Sequence, residues 1–108
     1  MKAHPAVFSP LGLKNKTAFK IAAANRTRVV SWIMTIRAAN GDVVKTYQGY
    51  NAPPTRLDWD GRNAQGVLVP AGVYTYRMMV TDKKNRTETT PVRQVEILSP
   101  TPLEIEAK

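Results

Sequence analysis

The segment GVYTYRMMVTD, residues 72–82, is the feature that most limits how this chain can fold. Large apolar side chains alternate with polar ones along it, Tyr74, Tyr76, Met78 and Val80 against Thr75, Arg77 and Thr81. A period of two places alternate side chains on opposite faces of a β-strand, whereas a helix needs a period near 3.6. No stretch shows a sustained helical period, and 8 prolines and 6 glycines interrupt the sequence. The pattern predicts an all-β domain.

Six further short segments predict strands of the same kind: AVF, TAFKIAA, VVSWIMTIRA, DVVKTYQ, TRLDW and VRQVEIL. Between the third and fourth of these, Asn40 and Gly41 predict a two-residue hairpin turn in which both residues take positive φ. About seven strands at this spacing indicate an antiparallel β-sandwich of the immunoglobulin or fibronectin III type. The length of 108 residues suits one such domain.

The predicted core rests on the large side chains of the alternating segments: Trp32, Phe19, Tyr74, Tyr76 and Met78. Trp32 lies on the third predicted strand, where immunoglobulin-like domains place a core tryptophan. On that strand, one inward face is predicted to hold Val30, Trp32, Met34 and Ile36.

The charge balance favours anionic partners, because 16 Lys and Arg residues face 8 Asp and Glu residues, a formal net charge of +8. The alternative interpretation is that the excess charge only keeps a small domain soluble. No run of five like charges and no aromatic RNA-binding segment occurs, so nucleic acid is an unlikely partner. The chain has no cysteine and only one histidine, His4. This composition excludes thiolate chemistry and argues against a histidine-based triad or metal cluster.

The stretch WDGRNAQGVLVPAG, residues 59–72, has both a structural and a chemical interpretation. As structure, it is a wide loop in which Gly61 and Gly66 take positive φ and Asp60 or Asn63 bonds the backbone two residues on. Pro70 and Gly72 then form a second turn. As chemistry, Asp58 and Asp60 are the only nearby carboxylates, and the glycines lack the spacing of a phosphate-binding loop. The structural interpretation accounts for the whole stretch, and we expect no catalytic residue and no metal ligand.

Two groups of side chains are candidates for a partner surface. An exposed aromatic platform for sugar stacking is predicted from Tyr47, Tyr50, Trp59 and Arg56, and a basic turn from Lys83, Lys84 and Arg86. The alternative is that at least two members of the platform are core residues or contacts between strands. Three Asn-x-Ser/Thr triplets, at Asn15, Asn25 and Asn85, fall in predicted turns, and we interpret them as turn residues.

The residues from Leu57 to Asp82 resemble the immunoglobulin-like domain of the bacterial flagellar hook-capping protein and its relatives. The shared pattern WDGxxxxGxxxPxGxYxYxxxxxD is matched by Trp59, Asp60, Gly61, Gly66, Pro70, Gly72, Tyr74, Tyr76 and Asp82. The similarity extends to NGDVV at Asn40–Val44 and to FSP at Phe8–Pro10. The resemblance implies a non-catalytic sandwich outside the cytoplasm, in the periplasm, the envelope or the secreted fraction, without a cofactor.

The resemblance also implies partners, and the sequence departs from the family pattern in one segment. The implied partners are neighbouring domains of the same chain or other envelope proteins. Alternative functions are binding of anionic envelope polysaccharide or lipopolysaccharide, and a part in a hook-capping scaffold. Many relatives follow FSP with an acidic run suited to calcium, whereas this chain has LGLKNKT, with Lys14 and Lys16 and no carboxylate. Calcium needs six to eight oxygen ligands, so we expect no calcium site.

The ends of the chain predict a unit of a longer protein. Residues 1–98 form the predicted sandwich, and residues 99–108 a linker, SPTP, followed by LEIEAK as the possible start of a following domain. The alternative is that LEIEAK extends or pairs with this domain's own sheet. The first residues lack the apolar region of a signal peptide, and no apolar run approaches the ~20 residues of a membrane span.

Overall fold

The described part of the chain forms two β-sheets and no helix. A computed structural model describes residues 1–10, 15–22 and 28–98. Within these residues the nine strands are β1 (Lys2–His4), β2 (Val7–Phe8), β3 (Thr17–Lys20), β4 (Val29–Arg37), β5 (Val43–Tyr50), β6 (Arg56–Trp59), β7 (Gly72–Asp82), β8 (Thr87–Thr89) and β9 (Arg93–Ile97). No described segment forms a helix with the length and hydropathy that crossing a membrane requires.

The two sheets have three and six strands. The small sheet has the order β1-β3-β6, and the large sheet has the order β2-β9-β7-β4-β5, with β8 also paired to β7. All pairs are antiparallel except β2 with β9, where Val7 lies opposite Glu96. The predicted immunoglobulin-like sandwich is confirmed. It contains two short strands, β1 and β8, that the sequence did not predict.

The core lies between the sheets and is centred on β4 and β7. Met34 lies opposite Met78 and Ile36 opposite Tyr76, and these side chains are buried. The Phe19 ring of the small sheet packs 4.7 Å from the Tyr76 ring. The alternation along β7 therefore turns its large side chains inward, as predicted.

One buried hydrogen bond joins the sheets through the core. The Ala3 backbone N–H of β1 donates to the Tyr76 hydroxyl on β7 at 2.8 Å. Thr17 on β3 is the buried polar residue of the described core, and its hydroxyl donates to the Pro5 carbonyl at 2.5 Å. These two buried polar groups thus have partners, which burial away from water requires.

The start of β4 is shifted by a bulge. Val29 lies opposite Asp82 and Ser31 opposite Thr81, which leaves Val30 as the extra residue. Val29 is buried and Val30 is exposed. The prediction that Val30 shares the inward face is therefore wrong, because the extra residue turns the side chains before it to the other face.

Trp59, and not Trp32, is the central tryptophan of the core. Trp59 is 1% exposed, whereas Trp32 is half-buried and packs at the margin of the core. Trp32 lies along Gly49 of β5, where an added Cβ would meet its indole at 3.0 Å. The prediction that Trp32 anchors the core is wrong, because its indole lies in the first half of β4 and covers the backbone of the edge strand β5 at Gly49.

The hairpin between β4 and β5 is confirmed, but its turn differs from the prediction. The Gly41 N–H donates to the Ala38 carbonyl, and the Ala38 N–H donates to the Asp42 carbonyl, both at 2.9 Å. Gly41 has φ +94°, and Asn40 does not have positive φ. The loop is a three-residue turn with one left-handed position, a common alternative to the two-residue turn.

Candidate functional site

The loop that follows Trp59 uses its polar side chains on its own backbone. The Arg62 N–H donates to the Asp60 carboxylate at 3.2 Å. The Asn63 side-chain oxygen accepts from the N–H groups of Gln65 at 2.9 Å and Val67 at 3.0 Å. The predicted bond to the backbone two residues on is thus formed by both Asp60 and Asn63. These oxygens are engaged in shaping the loop, as short polar side chains in turns commonly are.

The same loop forms a small hairpin that is tied to the large sheet. Arg62 and Leu68 form an isolated β-bridge, and the Asn63 N–H donates to the Val67 carbonyl at 2.8 Å. Gly61 and Gly66 both have φ +81°, as predicted. The Ala64 N–H donates to the Val44 carbonyl of β5 at 3.2 Å, which fixes the loop against the sheet edge.

Trp59 lies beneath this loop. Its indole N–H donates to the Arg62 carbonyl at 2.9 Å. Its ring contacts Phe8 at 5.7 Å and Tyr74 at 5.6 Å between centroids, both edge to face. The Tyr74 hydroxyl donates to the Pro70 carbonyl at 2.6 Å, four residues upstream, in the manner of the tyrosine corner of immunoglobulin-like domains. The aromatic residues of the motif therefore hold the loop down.

Two distant parts of the sequence pattern meet at Gly61. An added Cβ at Gly61 would lie 2.9 Å from the Pro10 ring and 3.5 Å from both Phe8 and Ile97. The FSP segment and the WDG segment are thus in direct contact. Gly61 is required both by its φ and by the close approach of Pro10.

The predicted aromatic platform is not formed. Trp59 is buried, and the Tyr47 hydroxyl donates to the Asp58 carbonyl at 2.8 Å, which connects β5 of the large sheet to β6 of the small sheet. Of the three aromatic side chains, only Tyr50 is exposed, at 83%. The alternative interpretation is the correct one, because two of the four side chains are core or inter-sheet contacts.

The basic turn between β7 and β8 is organised by Asp82. Its carboxylate accepts from the N–H groups of Lys84 and Arg86 at 2.9 Å and from Arg86 Nε at 3.0 Å. These bonds hold the pKa of Asp82 below its usual value, and the bond from the Arg86 N–H contributes most. Asn85 has φ +61°, which agrees with the interpretation of its Asn-x-Thr triplet as part of a turn. Lys83 and Lys84 are exposed, and this turn lies at the same sheet end as Tyr50.

The two carboxylates near Trp59 are each ion-paired with cations. Arg56 Nε lies 2.8 Å from Asp58, and Lys16 lies 3.8 Å from it. The hydrogen bond from Arg56 is the main reason that the pKa of Asp58 is lowered. Arg62 lies 3.6 Å from Asp60. General acid–base chemistry needs two carboxyl groups in distinct environments that face one pocket, whereas these two carboxylates are each ion-paired at the surface.

No metal-binding group is found among residues 1–10, 15–22 and 28–98, where no three His, Asp or Glu side chains converge. The expected lack of a calcium site concerned the segment with Lys14 and Lys16. Lys14 lies outside the described residues, as do Asn25 and residues 99–108, so the expectations on these positions stay predictions.

Sequence reasoning missed a set of cations that only the sheet pairing brings together. Lys2 of β1 lies opposite Lys20 of β3, and Lys20 lies opposite Arg56 of β6. The three side chains are exposed on the outer face of the small sheet. Because the three strands are far apart in the sequence, no local pattern could have shown the arrangement.

The sequence matches the model of a known domain family. The family model of the FlgD Ig-like domain matches residues 11–84, more than half of the chain. The chain belongs to the FlgD Ig-like domain family. The resemblance seen in the sequence is confirmed, and the matched span contains the whole motif from Trp59 to Asp82. FlgD Ig-like domains are non-catalytic modules of bacterial proteins. Among curated protein sequences, none matches this chain.

A solved structure has the same fold. The crystal structure of dimeric latent PorU from Porphyromonas gingivalis matches with a TM-score of 0.69 at 16% identity. The match covers 91% of this chain and 9% of the PorU chain. This FlgD Ig-like domain therefore corresponds to a small part of that much longer protein, and the likeness concerns the fold.

Tyr47 gives the domain a predicted sensitivity to alkaline pH. Burial raises the pKa of Tyr47 to about 12, and the charges of Asp60 and Asp58 add to the rise. The ordinary pKa of tyrosine is about 10, so the folded state favours the protonated hydroxyl. The stability that this preference provides is complete below pH ~10 and is lost as pH rises towards ~12.

We expect the free energy of unfolding to fall between these pH values, and Tyr47→Phe to reduce that fall. The variant also loses one hydrogen bond, which lowers stability at neutral pH by about 1 kcal/mol. Urea unfolding at pH 8 and at pH 11 measures both effects. Tyr50→Phe is the control, and an equal pH response of the two variants would contradict the role of Tyr47.

Proposed function

We propose that this chain is a non-catalytic structural and interaction module of an extracytoplasmic bacterial protein, and one unit of a multidomain or tandem chain. Its partners are neighbouring domains of the same chain or other envelope proteins. The observation that supports the proposal most is the use of the motif's polar side chains within the domain. Asp60 and Asn63 bond their own loop, and Tyr74 bonds Pro70, so these polar groups of the motif serve the local structure.

The proposed division of the chain places the sandwich at residues 1–98 and a linker with the start of a following domain at residues 99–108. The last described strand, β9, already has β2 and β7 as neighbours on its two sides.

A part in a flagellar hook-capping scaffold is a further alternative that the family match favours.

The proposal predicts no turnover on panels of ester, peptide and glycoside substrates. The physical reason is that Asp58 and Asp60, two neighbouring carboxylates of the motif, are each ion-paired with an arginine on the surface. Asp82→Asn is the control, because it removes an ion-paired carboxylate from the β7–β8 turn and leaves the motif loop unchanged. Turnover that is lost in Asp58→Asn but kept in Asp82→Asn would overturn the proposal.

A second candidate function is binding of an anionic envelope polymer, such as acidic polysaccharide or lipopolysaccharide. The observation that favours it is the placement of cations at one end of the sandwich. Met1 and Ile21, next to Lys2 and Lys20, line the same cavity as Arg28 and Arg86. The row of Lys2, Lys20 and Arg56 and the turn with Lys83 and Lys84 therefore lie at the same end of the domain.

A further inference from the structure

The outer face of the small sheet carries a row of three cations, Lys2, Lys20 and Arg56, which we call the cation row. They occupy directly opposite positions on β1, β3 and β6. Neighbouring strands lie about 4.8 Å apart, so the row places one positive charge per strand along a line perpendicular to the strands. The alternate side chains, Ala3 and Phe19 among them, point into the core, which leaves the row facing solvent.

This row is unfavourable for the fold by itself. Like charges at directly opposite positions of neighbouring strands destabilise a sheet. The carboxylate on this face, Asp58, contacts Arg56 and Lys16, and no ion pair joins Lys2 or Lys20 to a described residue. Lys16, Lys2, Lys20 and Arg56 against Asp58 leave an excess of three positive charges, four minus one.

Other cations within the described strands avoid such positions. Arg77 lies opposite Thr35, Lys45 opposite Ile36, and Arg93 opposite Tyr76. Charge that served only solubility could be scattered in the same way over the small sheet. The like-charged alignment is specific to one face, and it is the kind of local destabilisation that proteins retain for binding.

We propose that the cation row binds a linear acidic polysaccharide with a carboxylate on its successive sugars, lying across the three strands. The proposal rests on the second candidate function above and names its site. The described outer residues of this sheet include no Phe, Tyr or Trp, so the face lacks the stacking platforms of single-stranded nucleic-acid sites. It also lacks the large apolar side chains that insert into a lipid surface. A flat row of cations matches a chain of evenly spaced carboxylates.

The test is retention of the protein on immobilised polygalacturonate across a salt series. Lys2→Gln/Lys20→Gln is compared with Arg77→Gln/Arg93→Gln, in which both arginines are exposed on the large sheet. Each double variant removes two of the net positive charges, from +8 to +6. Exposed ion pairs are individually weak and are screened by salt. We expect the row variant to lose about fivefold to tenfold in affinity at low ionic strength and the large-sheet variant to lose less than twofold.

Equal losses in the two variants would overturn the row as the site while leaving charge-driven polymer binding in place. No retention of the unmodified protein at low salt would overturn both proposals. Stronger binding to anionic phospholipid vesicles or to single-stranded DNA, with the same dependence on the row, would overturn the assignment to polysaccharide. Retention on uncharged dextran would overturn the charge-based recognition itself.

A melting experiment separates loss of binding from loss of folding. Lys20 lies between two cations, so Lys20→Gln relieves both repulsions at once. We expect its melting temperature to rise by about 1–5 °C while its affinity for polygalacturonate falls. A fall of several degrees would show that the row supports the sheet, and it would overturn the proposal that the row is retained for binding.

Discussion

Replacing Trp59 with alanine is expected to lower the free energy of unfolding by about 3–5 kcal/mol. The side chain is 1% exposed and packs between Phe8 and Tyr74, so its removal leaves a cavity in the aromatic part of the core. The substitution also removes the donor to the Arg62 carbonyl. Since small domains have a total stability of about 5–15 kcal/mol, this single change places the fold near its limit.

Trp32→Ala is the matched control for this prediction. Trp32 is half-buried at the margin of the core, so its loss is expected to lower stability by about 1–2 kcal/mol. Urea unfolding followed by circular dichroism measures both variants, since each keeps only one of the 2 tryptophans as a fluorophore. An effect of Trp32→Ala equal to or larger than that of Trp59→Ala would contradict the assignment of the central tryptophan.

The strands and the motif loop were predictable because their signals are local. The alternation of Tyr74, Tyr76 and Met78 sets the inward face of β7, and side chains such as Asn63 bond backbone groups only two to four residues away. Which tryptophan is central to the core, Trp32 or Trp59, does not depend on local sequence. Both residues lie on predicted strands, and Trp59 even lies between two aspartates, Asp58 and Asp60. Only the packing of the two sheets shows which indole is enclosed.

The partner surface was the least predictable feature for the same reason. Tyr47 and Trp59 look like surface aromatics in the sequence, but a hydrogen bond between the sheets engages Tyr47 and burial removes Trp59. The bulge at Val30 adds a one-residue shift that hydrophobic alternation does not reveal. The cation row depends on the register of three strands, which sequence patterns of single strands do not contain.

Replacing Gly61 with alanine is expected to lower the free energy of unfolding by about 2–4 kcal/mol. Its φ of +81° is unfavourable for a residue with a Cβ, and the new Cβ would lie 2.9 Å from the Pro10 ring. Pro10 packs beside Phe8 and Ile97 at this point, so relief of the contact requires movement of the β2 end or of the loop. The backbone strain and the steric contact act together.

Gly66→Ala isolates the backbone strain. Gly66 has the same φ of +81°, but an added Cβ would meet nothing within 4 Å. Only the backbone strain applies there, and the lower entropy of the unfolded alanine chain offsets part of it. We expect Gly66→Ala to lower stability by about 0.5–1.5 kcal/mol.

We infer that the motif from Trp59 to Tyr76 specifies a loop packed on the core. The difference in unfolding free energy between Gly61→Ala and Gly66→Ala tests it most directly, because the two glycines share one φ and differ in their contact with the FSP segment. The structure predicts that Gly61→Ala is the less stable variant by about 1–3 kcal/mol. Equal stability of the two variants would contradict the claim, because it would mean that the loop does not pack against Pro10.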